Sequence, residues 1–149
     1  MKRVSESKRR REGGNAMMEF ALVGSLMFLL MFGVTDFARM FSSANVVASA
    51  ARAATQYGMM SPAHYGDYTG MQNAGLADAQ NPTGLTVTAT QFCACSIGGS
   101  HTTCPATCTT GSNQTYIQVT ASMPWSTAFN FPGVPHTNTL TSVSVVRVQ

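Results

Sequence analysis

One carboxylate stands inside an otherwise apolar stretch: Glu19, the single ionisable residue between Ala16 and Thr35. Asn15 precedes it by four residues, so on a helix the two share a face, and Gly14 comes immediately before Asn15. A peptidase cutting between Gly14 and Asn15 would create an α-amino group carrying positive charge. That amine would lie near Glu19 of the same chain or, in an assembly, of a neighbour. The pair would neutralise the carboxylate where an unpaired ion is poorly tolerated. The competing reading is that Glu19 sits at headgroup depth and snorkels to water. At the edge of a span it costs less than the ~2.5–3.5 kcal/mol assigned to a charge at a helix centre. The residues alone leave both readings open.

The other reactive residues are four cysteines, Cys93, Cys95, Cys104 and Cys108, spaced C-x-C-x8-C-x3-C. Structural zinc sites favour pairs separated by two to four residues, so the single residue between Cys93 and Cys95 suits a metal poorly. These two cysteines are not expected to bond to each other. Two disulfides joining them to Cys104 and Cys108 are expected, with the choice of partner open. Each closes a short loop and contributes roughly 2–3 kcal/mol in the chain-entropy account. His64, His101 and His136 stand alone in loops, with no second ligand at metal spacing, and read as solvated. Asp67 and Asp78 are too far apart in sequence for an acid–base pair and read as surface charges. No serine lies in a G-x-S-x-G setting, and no glycine-rich loop follows a strand. No enzyme, cofactor, metal or small-molecule substrate is expected.

The run from Ala16 to Thr35 has the roughly 20 residues a helix needs to cross a bilayer. Six of the nine basic residues (Lys2, Arg3, Lys8, Arg9, Arg10 and Arg11) precede Gly14. Basic residues flanking an apolar span fix orientation, N-terminus inside, in preference to binding nucleic acid. The cysteines then face an oxidising compartment, where disulfides persist. The span exceeds a signal-peptide core, and Thr35-Asp36-Phe37-Ala38-Arg39 is no cleavage site, so it should be retained. Residues 1–14 lack apolar periodicity and are expected to be disordered.

Beyond Asp36, Phe37, Met40, Phe41, Ala44, Val47, Ala48, Ala51 and Ala54 recur at helical steps. Gly58 and then Pro62 supply the stop. Met17 to Tyr57 is therefore expected to form one helix of about 41 residues and about 60 Å. Its alanine-rich outer stripe should pack on the chain's own sheet. A short helix is expected over Tyr68–Ala79. From Leu85 the period falls to two, and Leu85–Cys95, Tyr116–Met123 and Leu140–Val148 read as strands. Their Thr/Ser-rich alternation implies an antiparallel sheet covered on one face. Pro124–Asn138 reads as a long loop holding a buried Trp125 and Phe129.

The resulting plan is α+β: a basic leader at 1–14, a transmembrane helix at 15–36 and its outer continuation at 37–60. A loop with a short helix follows at 61–84, then a β-rich, disulfide-containing part at 85–149. Only 10% of residues are charged, against about 25% in ordinary soluble domains, which suits a chain so heavily committed to a span.

Gly14-Asn15-Ala16-Met17-Met18-Glu19-Phe20 resembles the class III signal of type IV pilins, in which a prepilin peptidase cuts after glycine and glutamate is the fifth mature residue. More narrowly, Arg11 through Val23, the Phe32-to-Arg39 turn and the alanine-rich Ala48–Ala54 helix are similar to tight-adherence minor pilins of the TadE/TadG type. Tyr116–Ala121, the Pro132-Gly133 loop and the closing Leu140–Val148 strand extend the similarity. Asn15 stands where type IVa pilins commonly begin with phenylalanine, and Gly24-Ser25 where many relatives carry a proline. The resemblance implies cleavage at Gly14–Asn15, with Glu19 and Phe20 serving assembly and Glu19 neutralising an amino terminus. It implies as partners a prepilin peptidase, other major and minor pilins, an assembly platform with ATPase and secretin, and membrane lipid. The place implied is the bacterial inner membrane, single pass, with the C-terminal part periplasmic or in an extracellular pilus. The alternative is an uncleaved single-span protein whose outer part is a binding module.

Overall fold

The computed structural model describes residues 2–148 apart from 98, 106, 110, 130–132 and 134, with side chains from residue 16 onward. It forms two compact units, Met1–Arg39 and Met40–Gln149.

Helix α1 runs Lys2–Met59. It thus begins well before Met17, and the leader expected to be disordered is helical. Lys, Arg and Glu, abundant between Lys2 and Glu12, are among the better helix formers, and no proline interrupts them. In the first unit the apolar residues from Met17 to Phe32 are exposed. This part of α1 is long and apolar enough to cross a membrane, and none of its most apolar window is buried within the protein.

The second unit has its own core. α1 contributes Val47, Ala50, Ala51 and Ala54, so the alanine stripe does pack inward. A 3₁₀ turn at Pro62–His64 follows, then α2 at Tyr68–Asp78, β1 at Thr86–Ala94, β2 at Gln114–Ser126 and β3 at Thr137–Arg147. The strands form an antiparallel meander in the order β1-β2-β3. Val87 of β1, Ile117, Val119 and Ala121 of β2 and Leu140 of β3 face the core, joined by Met71 of α2. The alternate positions Thr86, Thr88 and Thr90 face solvent, as period-two patterning requires.

Small residues make this core possible. A Cβ on Gly75 of α2 would stand 2.8 Å from the Ala50 carbonyl oxygen and 3.3 Å from Val87. The two helices therefore meet backbone to backbone. One on Gly58 would lie 2.9 Å from Ile117, where α1 ends over the sheet.

The connection read as Pro124–Asn138 is shorter than expected, because β2 and β3 pair as far as Ser126↔Thr137. Pro124 is tolerated inside β2 because β1 has already ended, its pairing stopping at Thr86↔Ser122. Trp125 is half-buried in β2, its indole N–H without a partner among the described residues. Phe129 is exposed rather than buried. Pro132 of the Pro132-Gly133 loop lies outside the described residues.

Candidate functional site: the N-terminal helix and its folded unit

Gly14 and Asn15 lie within α1, and their side chains are outside the described residues. Glu19 and Phe20, one turn on, are exposed on the same helix, with Phe20 79% exposed. Among the described residues Glu19 has no hydrogen-bond or ion-pair partner. The carboxylate is thus available to a group from elsewhere, and helical geometry sets it beside position 15. Further along the first unit, Asp36 is buried and accepts from Arg39 at 3.2 Å, an i,i+3 pair. The two charges that close the apolar run therefore satisfy each other in part.

The cysteines pair as Cys93–Cys104 and Cys95–Cys108, with Cα–Cα distances of 5.2 and 5.5 Å. This resolves the open choice of partners. Cys93 is buried at the end of β1 and Cys95 lies just past it. The returning loop also exchanges two 2.9 Å backbone bonds between Cys93 and Thr102, and the Thr102 hydroxyl donates to the Cys93 carbonyl oxygen. Among the described residues no group of three His, Cys, Asp or Glu is placed to hold a metal.

Asp67 corrects its reading as an ordinary surface charge. It caps α2: Oδ1 accepts from the Gly70 N–H at 2.8 Å, and Oδ2 accepts from the Tyr57 hydroxyl at 2.9 Å. The Gly70 N–H, then the Tyr57 hydroxyl, hold the Asp67 carboxyl below the ordinary carboxylate range. The same bond, by stabilising the neutral phenol beside a negative charge, raises Tyr57. Asp immediately before a helix is a capping signal that was present in the sequence. The Tyr57 partner had no such signal, being ten residues away on another element. Asp78 accepts a short hydrogen bond from Ser49, tying the end of α2 to α1.

The histidines also have local partners rather than water alone. His64 lies 3.2 Å from Ser61 Oγ and packs on Tyr57. His101 stacks on Phe92, which stacks on Tyr116, with centroids 3.9 and 5.1 Å apart. His136 Nδ1 is 2.7 Å from Thr127 Oγ1. These contacts brace loops and gather no acid, base and nucleophile.

No curated protein and no solved structure matches this chain. A protein-family model does, over less than a third of its length: that of TadE-like protein, at residues 14–56. From the Gly14 junction through the alanine-rich half of α1, the chain carries the pattern of the TadE-like family, consistent with a TadE-like protein of the tight-adherence pilus system.

Proposed function

We propose that the protein is a minor pilin-like subunit of a tight-adherence pilus, freed of its leader by a prepilin peptidase between Gly14 and Asn15. The observation that carries this reading is where the family match starts: at residue 14, omitting the basic leader and including Glu19. An exposed carboxylate one helical turn from the new amino terminus fits a part in neutralising that amine, its own or a neighbour's. The exposed apolar surface of Met17–Phe32 suits a helix that leaves the bilayer for a filament, since both settings bury it. Its basic flank keeps the N-terminus cytoplasmic. The second unit, tied by two disulfides, then lies on the periplasmic side. The role is structural, with other pilins and the assembly platform as partners.

Intact-mass measurement of the membrane-extracted protein tests the processing step. Loss of residues 1–14 is expected in cells with an active prepilin peptidase. A chain still beginning at Met1 there removes the reading and leaves a tethered binding module. Glu19→Val should leave membrane insertion intact and reduce incorporation into pili. Normal incorporation would remove the role given to the carboxylate.

A further inference from the structure

Glu19 and Asp36, the two acidic residues that bound the apolar run, enclose only Phe20–Thr35, 16 residues or about 24 Å of helix. A bilayer's hydrocarbon is roughly 30 Å thick and takes about 20 residues. A helix that crosses it must therefore draw one of the two acids, with its flanking turn, to hydrocarbon depth. Glu19 is exposed and has no partner among the described residues. Asp36 is buried and accepts from Arg39 at 3.2 Å. A carboxylate facing acyl chains alone is costly, whereas one shielded by protein and paired with a cation is the kind that membranes tolerate. Asp36 is thus the acid better suited to that depth.

The surface of α1 beyond Asp36 agrees. Phe37 and Phe41, one turn apart on one face, are 69% and 61% exposed, and Ala38 is exposed beside them. The next position on that face is Asn45, exposed and polar. The exposed apolar surface therefore ends past Phe41 and not at Asp36. Arg39, its side chain 53% exposed, lies two residues short of that limit, within reach of the headgroups by snorkelling. Thr35, six residues inside the limit, needs no water, because its hydroxyl donates to the Met31 carbonyl oxygen at 2.8 Å. We infer that the lipid-contacting length of α1 runs from Phe20 to Phe41, 22 residues or about 33 Å, in place of Ala16–Thr35. Phe37 and Phe41 then meet the acyl chains of the outer leaflet, and Glu19 lies among the inner headgroups. An amine created at Asn15 stands one turn further toward the cytoplasm, so the Glu19 carboxylate needs no amine in order to enter the membrane. The inference rests on the membrane-inserted part of the proposed function and not on cleavage.

The methionines and phenylalanines already present serve as depth probes, so no substitution is needed. The full chain is placed in phosphatidylcholine nanodiscs at one chain per disc, which keeps a second copy from covering α1. Hydroxyl-radical labelling is then read residue by residue by mass spectrometry. Met59 and Met60, exposed at the far end of α1, report full labelling by water. Met27 and Met31, in the middle of the run, should lose it. The inferred frame predicts that Met17 and Met18 are labelled like Met59 and Met60, while Phe37 and Phe41 are protected. A frame of Ala16–Thr35 predicts the reverse pattern at these four residues. Protection of Met17 and Met18 overturns the inference, as does labelling of Phe41. Labelling of Met27 and Met31 removes the membrane-inserted reading itself, an outcome distinct from a misplaced boundary.

Discussion

Asp67 sits one residue before α2 and holds two donors at once, the Gly70 N–H and the Tyr57 hydroxyl. Its pH behaviour follows from the direction of each shift. The folded-state pKa of Asp67 is depressed, so its contribution is present above the unfolded value and is lost as pH falls through the folded one. Tyr57 is raised, so its contribution is full below the ordinary phenol value and is lost as pH climbs through the folded one. Asp67→Ala should lower the melting temperature near neutral pH, and the gap to the wild type should close in strong acid. Tyr57→Phe should flatten the alkaline limb. Thermal unfolding followed by circular dichroism from acid to alkaline pH checks both, and a gap that does not depend on pH would contradict the assignment.

Between elements, the contact of α2 with α1 rests on Gly75. Replacing a mid-helix glycine by alanine ordinarily gains about 1 kcal/mol of helix propensity. Here the new methyl meets the Ala50 carbonyl oxygen, a backbone atom that cannot rotate away, and overpacking typically costs about 1–3 kcal/mol. Gly75→Ala should therefore be neutral to destabilising and Gly75→Val clearly destabilising, by about 2 kcal/mol or more in urea unfolding. The disulfides divide in the same manner. Cys95–Cys108 closes a separation of 13 residues near the surface, and its removal as a serine pair should cost about 2–3 kcal/mol. Cys93 is buried against Thr115, so the Cys93–Cys104 serine pair should cost more, because it also places a hydroxyl in the core.

For the molecule as a whole, the residues from Met40 onward contain every member of the buried core cluster. A chain starting at Met40 should remain soluble without detergent, form both disulfides and unfold in one cooperative transition. Aggregation of that chain under oxidising conditions would mean that the core depends on the apolar helix after all. The exposed apolar residues of the first unit make the opposite prediction for the full chain, which should need detergent or lipid.

The exposed apolar stretch, the long helix, the short helix over Tyr68 and the three strands could all be read from the residues, because each rests on a local period or composition. The two cysteine pairs were equally legible as a set, and Glu19 as the anomaly of its segment. Local pattern also misled: the polar leader was expected to be disordered because it lacks an apolar face, whereas its Lys, Arg and Glu residues favour helix on their own. What required the tertiary structure were the relations between distant positions: which cysteine joins which, Tyr57 meeting Asp67, and Gly75 meeting the Ala50 carbonyl. Such pairings depend on how the elements come together over long loops. A chain of residues records its own periods, but not which of several compatible surfaces will be nearest in space.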